Sequence, residues 1–151
     1  MEIIVRELRQ DELKEASDLI FKTFYKYILP TYTMDGVEFF RDRTSPISLK
    51  MNTYDRSIVI YGAFVGTTLA GVLGSKGTNH ICMFFTKNEY MGQGIGRKLF
   101  NHFLAHTDPE KDVTVNASDY GIPIYKKLGF EVVDERKEEN GTVYTPMKFK
   151  K

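Results

Sequence analysis

Three glycines in five residues mark the segment with the most chemistry in it: Tyr90-Met91-Gly92-Gln93-Gly94-Ile95-Gly96-Arg97. The segment directly follows a β-rich run and opens a helical pattern, so its main-chain N–H groups can converge on one point. That point is a helix N-terminus, where the macrodipole favours an anion. Glycine is needed because a Cβ would keep phosphate oxygens away from the backbone. A pyrophosphate fits such a loop, with Arg97 available nearby. The dinucleotide fingerprint does not match: it needs glycine where Arg97 stands and lies early in a βαβ unit. A P-loop fails as well, because no Gly-Lys-Ser/Thr ends the segment. Phosphate binding survives; mononucleotide and NAD readings do not.

Other reactive residue types carry less. His102 and His106 have a spacing that could hold a metal, but no glutamate follows His102 and no third ligand accompanies them. No metal site is expected. Cys82, flanked by strand apolars, is read as core packing with nothing to activate it. Five aromatics, Tyr25, Tyr27, Tyr32, Phe39 and Phe40, crowd sixteen residues. Most should pack a core, while some wall an apolar substrate pocket.

The elements that must position these residues follow from periodicity. Residues 2–7 form a short strand. A helix follows with Asp11 near its cap and Leu13, Ala16, Ile20, Phe24 and Tyr27 on its apolar stripe, until Pro30 ends it. Residues 35–43 make a second helix with Val37, Phe39 and Phe40 turned inward, closed by Ser45-Pro46. From Arg56 the period changes to that of strands, predicted over residues 57–64, 69–75 and 80–86 as three consecutive antiparallel strands. The glycine segment then opens a helix whose apolar arc is Ile95, Leu99, Phe100, Phe103 and Leu104. Residues 113–117 give another strand and 121–127 a helix, with Pro123 in its first turn and Gly129 as its left-handed cap. Residues 130–134 and 143–149 form a terminal hairpin around Asn140-Gly141, and the charged run 134–139 is a solvated strand end and loop.

The whole chain bounds what these elements can build. Its 151 residues fit one domain, able to bury roughly 70% of the unfolded chain's surface. Twenty-one Lys and Arg against twenty Asp and Glu leave a net charge of +1, no electrostatic reason to expect nucleic acid or an anionic membrane as the main partner. A single cysteine forbids an intrachain disulfide and suits a reducing compartment. No apolar run approaches the ~18 residues of a membrane span, nor does the N-terminus resemble a signal-peptide core. The expectation is a cytoplasmic domain.

At this point the sequence resembles the GCN5-related N-acetyltransferase (GNAT) family. Its loop after the fourth strand has the pattern Arg/Gln-x-x-Gly-x-Gly/Ala, here Met91-Gly92-Gln93-Gly94-Ile95-Gly96. Val115-Asn116-Ala117-Ser118, followed by Ile124-Tyr125-Lys126-Lys127-Leu128-Gly129-Phe130, looks like the family's fifth strand and its Tyr-x-x-x-Gly-Phe helix end. Tyr144-Thr145-Pro146-Met147 is similar to the last strand of many bacterial members. The matches come in the family's order and span residues 58–149.

The resemblance implies an α/β (α+β) fold: a mixed, mostly antiparallel twisted sheet of six or seven strands with helices on both faces. It implies an acetyl-CoA-dependent N-acyltransferase whose acceptor is a primary amine of a small molecule or peptide, attacking directly in a ternary complex. Phe84, Phe85 and Thr86 would hold the pantetheine arm through main-chain groups, and the amides from Gly92 to Arg97, across Gln93, Gly94, Ile95 and Gly96, would take the pyrophosphate. Asn116 would lie near the thioester and Tyr125 by the sulfur, as the acid for the leaving thiolate. Met91 stands where the family prefers Arg or Gln, which implies weakened affinity with the backbone amides retained. The base is open among His80, Glu89 and Glu38, one of them acting through water, or no dedicated residue. The acceptor should enter from the side covered by residues 25–45, with Tyr27, Tyr32 and His80 against it; a homodimer is allowed. Two rivals stay open: a non-catalytic acyl-CoA-binding or regulatory domain, and a protein-interaction module that keeps only the fold.

Overall fold

In the computed structural model, which describes residues 1–150, the strands are β1 (Ile4–Glu7), β2 (Ile58–Val65), β3 (Thr68–Lys76), β4 (His80–Thr86), β5 (Thr114–Ala117), β6 (Phe130–Val132), β7 (Lys137–Glu139) and β8 (Thr142–Phe149). The helices are α1 (Leu13–Tyr27), α2 (Met34–Arg43), α3 (Pro46–Tyr54), α4 (Ile95–Leu104) and α5 (Ile122–Leu128). Seven strands run in the order β1-β2-β3-β4-β5-β8-β6, and β7 pairs with β8. Every described pairing is antiparallel except β4 with β5. The expected mixed, mostly antiparallel sheet with helices on both faces is borne out.

Alternation along the strands splits the apolar residues between two cores. Ala63, Leu73, Val115 and Met147 face α4 and α5, where Leu99, Phe100 and Phe103 pack on them. Ile60, Val72, Met83 and Phe85 face α1 to α3, under Leu13, Ile20, Phe24 and Leu49. A bulge in β4 re-aims this pattern. Gly74 of β3 is opposite Met83 and Ser75 is opposite Ile81, which leaves Cys82 without a partner. The extra residue bends the strand beside the point where the sheet opens.

The opening leaves part of the β4 edge unpaired. β4 and β5 pair only at His80–Thr114 and Ile81–Val115. Beyond these two rungs the strands part. Lys87 donates its N–H to the Ala70 carbonyl on the β3 side, so alternation turns the main-chain groups of Phe84 and Thr86 to the open edge.

Three local expectations are corrected. Ser45-Pro46 does not merely close α2: the Ser45 hydroxyl accepts from the Ser48 N–H, and Pro46 occupies the first turn of α3. This helix was missed because Ile47, Met51 and Tyr54 face solvent at 71%, 65% and 83% exposure, which blurs its apolar stripe. Phe39 is exposed, whereas Phe40 turns inward and stacks on Phe24 with ring centroids 3.9 Å apart. β6 and β8 pair antiparallel as expected, but the tight turn at Asn140-Gly141, both with positive φ, joins β8 directly to β7. The charged run 134–139 thus contains a strand, held by Lys137–Tyr144 and Glu139–Thr142 pairing.

The β7–β8 turn reaches across to α2. The Thr33 N–H donates to the Gly141 carbonyl at 3.2 Å, and a Cβ on Gly36 would overlap that same carbonyl. Only paired glycines allow this approach, which fixes the hairpin as one wall of a groove.

Candidate active site

A cleft of about 480 Å³ opens where β4 and β5 part. The glycine segment forms one end of it. Gly92 and Gly94 have φ of +76° and +88°, and Gly94 is the N-cap of α4 without any side-chain cap bond. The first N–H groups of α4 are therefore left for a ligand. Space around both glycines is empty: a Cβ built on either meets nothing within 4 Å. Gly96 differs, with ordinary φ and a built Cβ 3.6 Å from the Phe84 ring. Its glycine widens the cleft mouth and relieves no strain.

Side chains around the loop brace it. Gln93 donates through Nε2 to the Glu89 carbonyl at 3.0 Å, so it holds the loop and does not line the cleft. Arg97 lines the cleft and donates to the Lys127 carbonyl at 3.2 Å, tying α4 to the end of α5. Met91 lines the cleft with its sulfur 3.9 Å from the Tyr120 hydroxyl. Ile95 is buried, and only its backbone can serve the loop. Among the described residues, Arg97 and Lys127 are the charged ones on this cleft, and no carboxylate lines it.

Midway along the cleft stand Phe84, Phe85 and Thr86 from β4, Asn116 from β5 and Tyr125 from α5. Tyr125 is 8% exposed, with its ring edge-on to Phe84 and Phe130 at 5.9 and 5.3 Å. Burial, and secondarily Cys82, push its hydroxyl well above the ordinary tyrosine value. The group stays protonated and able to donate. Cys82, displaced by the bulge, lines the same cleft; burial pushes its thiol up to about 11, with Arg43 and Lys76 pulling the other way. It is a neutral wall and no nucleophile.

A second groove of about 530 Å³ meets the cleft on the α1–α3 face of the sheet. Cys82, Met83, Asn116, Tyr32 and Phe40 line both. Its floor is the open strand face carrying Lys76, His80, Asn116 and Tyr144; α2 and the β7–β8 hairpin are its walls. Glu139 is the carboxylate on this groove and accepts from the Tyr144 hydroxyl at 2.6 Å.

The sequence-predicted residues separate accordingly. Tyr32 stands at the junction of the two spaces, edge-on to Phe24 at 5.2 Å, its hydroxyl raised by burial and by Asp119. Tyr27 lies outside both: it stacks on Tyr120 at 4.6 Å and donates to Asn88 Oδ1 at 2.5 Å, pinning α1 to the turn after β4. His80 lies in the second groove only, where the strands are still paired, with Nδ1 2.8 Å from Thr114 Oγ1. Burial, then Lys76, lowers its pKa. Glu38 and Glu89 border neither space. Sequence reading missed Tyr120, Ile124 and Lys127 on the cleft, and Arg43, Lys76, Glu139 and Tyr144 on the groove. For Ile124 and Lys127 a signal existed, since they flank Tyr125 at one helical turn or less.

The cleft fits coenzyme A in its chemistry: free helix amides and two cations for phosphates, an unpaired strand edge for an amide-bearing arm, and an apolar wall at Phe24 and Phe40. No cluster of three metal-ligating side chains occurs among the described residues, and no described helix is long and apolar enough to cross a membrane.

Comparison with known proteins agrees with this geometry. The model of the acetyltransferase (GNAT) domain matches residues 28–151. No curated protein matches the chain in sequence. Among solved structures, the PaiA N-acetyltransferase of Thermoplasma acidophilum in complex with coenzyme A is similar at TM-score 0.82 and 20% identity, over 100% of both chains. A GCN5-related N-acetyltransferase from Rhodopseudomonas palustris is similar at TM-score 0.81 and 17% identity, over 99% of this chain and 96% of the other. The apo form of YjaB from Escherichia coli follows at TM-score 0.74 and 18% identity, over 99% and 98%. At these identities the likeness is one of fold, while the domain match covers most of the chain. The chain belongs to the GCN5-related N-acetyltransferase family of acetyl-CoA-dependent transferases.

Proposed function

We propose that the 151 residues act as a single catalytic domain that transfers an acetyl group from acetyl-CoA to a primary amine of a small molecule or peptide by direct attack. The observation that carries this reading is the meeting of two grooves at Cys82 and Asn116, beside Tyr125, between strands that have parted. Donor and acceptor can then be held together without a covalent enzyme intermediate, which suits the raised, unreactive Cys82 thiol.

When bound, acetyl-CoA supplies an acetyl group activated as a thioester. The chain's own residues do the rest. The first N–H groups of α4, with Arg97 and Lys127, hold phosphate charge at the cleft mouth. The open edge of β4 at Phe84 and Thr86 binds the amide-bearing arm, and an N–H there stabilises negative charge developing on the attacked carbonyl oxygen. Tyr125 keeps its proton through neutral pH and gives it to the departing sulfur; the proton that the attacking amine sheds on forming the amide, relayed through water, restores the hydroxyl. The amine arrives from the groove floored by His80, Asn116 and Tyr144.

Titrating the purified protein with acetyl-CoA in a calorimeter, with NAD and ATP as controls, tests the donor half. Saturable binding of acetyl-CoA alone, followed by coenzyme A release with an amine panel, is the expected result. Absence of binding at millimolar ligand sinks the reading.

A further inference from the structure

The acceptor groove is electrically bipolar, and its two ends differ along α2. The N-terminal end of α2 meets the β7–β8 turn, which places Glu139 there, hydrogen-bonded by Tyr144. Ten residues of α2 at 1.5 Å each set the other end about 15 Å away. At that end stands Arg43, in the last turn, where a cation suits the helix C-terminus. Its guanidinium lies over the Phe39 ring at 5.1 Å, which gives the exposed Phe39 a role as a shelf. Lys76, the last residue of β3, is opposite His80 on β4 and lines the same groove.

Neither cation is neutralised. The described ion pairs include no partner for Arg43 or Lys76. Both unpaired cations also act on the Cys82 thiol, which places their field at the junction of the two grooves. A polycationic amine would meet this field as repulsion.

Resting on the acetyltransferase reading above, we infer that the acceptor is an amine that also carries an anionic group, a carboxylate or a phosphate, seated between Arg43 and Lys76. The anion fixes the molecule at one end of the groove. Its amine then lies toward Asn116 and the parted strands, within the field of the Glu139 carboxylate while it is still an ammonium.

The test compares acceptors differing only in the anion: β-alanine against β-alaninamide, O-phosphoethanolamine against ethanolamine, with putrescine as a dication. With acetyl-CoA fixed, kcat/KM is expected to be at least tenfold higher for the anionic member of one pair. Which pair responds separates carboxylate from phosphate. R43Q and K76Q should each raise the KM of that acceptor about tenfold with kcat and coenzyme A affinity little changed, and K76E should shift preference toward putrescine. Transfer to β-alaninamide, ethanolamine and putrescine at rates equal to the anionic amines, or a preference untouched by R43Q and K76Q, overturns the inference and leaves acetyl transfer standing. Calorimetric binding of β-alanine and O-phosphoethanolamine without donor reads the seat independently of catalysis. Lack of coenzyme A binding with such binding retained and lost in R43Q overturns the acetyltransferase reading alone.

Discussion

The cleft proposed for the donor and the groove proposed for the acceptor adjoin at Cys82 and Asn116, yet they are built in opposite ways. The cleft is largely written in main chain: two left-handed glycines, the uncapped start of α4 and an unpaired strand edge, all within residues 84–97. The groove is written in side chains drawn from α2, α3, β2, β3, β4, β5, β7 and β8. Among the described residues, the charged groups on the cleft are cations alone, while the groove carries charges of both signs. A backbone site binds what many relatives share, because any sequence with the right dihedrals presents the same amides. A side-chain site changes with every substitution, which suits the part of the reaction that selects the amine.

The largest test of this contrast is Tyr125→Phe. The ring contacts to Phe84 and Phe130 survive, but the protonated hydroxyl is lost. Steady-state assays should give kcat lower by about a hundred- to a thousandfold, with calorimetric coenzyme A affinity unchanged. Full turnover in this variant removes Tyr125 as the acid.

Gly94→Val attacks the backbone-built cleft. It forces a branched residue to φ +88° and fills the open space over the helix amides. Coenzyme A affinity is expected to fall about a hundredfold, about 2.8 kcal/mol, while the acceptor KM stays put. A change in acceptor KM of the same size would mean that the two regions are not separable.

A smaller effect is expected at His80. Burial, and then Lys76, lower its pKa from the ordinary histidine value, which favours the neutral imidazole. His80→Gln should raise the acceptor KM by about three- to tenfold, the loss of one hydrogen-bonding group. The pH–rate profile should have the same shape in His80→Gln as in the parent, because the lowered pKa already favours the neutral ring. A limb that disappears in the variant would make His80 a base.

The smallest effect comes from a site lining neither space. Arg6 binds Glu12 at 2.7 and 2.8 Å and, with the Arg9 N–H, lowers its carboxyl from the ordinary 4.5 to about 2. A depressed folded-state pKa gives stability that is present above 4.5 and lost as pH falls toward 2. Denaturation midpoints of Glu12→Gln should therefore depend less on pH in that window. Both ligand affinities should match the parent's at neutral pH.

The contrast between the two regions also explains what could be read in advance. The glycine loop and α4 were legible because φ preference, helix start and apolar arc are properties of neighbours in sequence. The strands β2 to β4 were legible for the same reason. The segment Pro46–Tyr54 was not, since a helix with exposed Ile47 and Met51 lacks a clean stripe. Nor was the pairing of Lys137–Glu139, because three charged residues become a strand only when β8 offers its edge. Tyr27 shared residue type and neighbourhood with Tyr32, but α1 carries it to Asn88 and away from the groove.

The sequence by itself determined the sheet class, the phosphate-ready loop and the family, since each rests on local dihedral preference and short-range spacing. Only the tertiary structure assembled the groove proposed for the amine. Arg43, Lys76, His80 and Glu139 are separated by up to ninety-six positions along the chain, and nothing local links them. The bulge at Cys82, the parting of β4 from β5 and the Gly36–Gly141 contact bring them to one groove. Long-range packing, not propensity, sets the field in which an acceptor would be chosen.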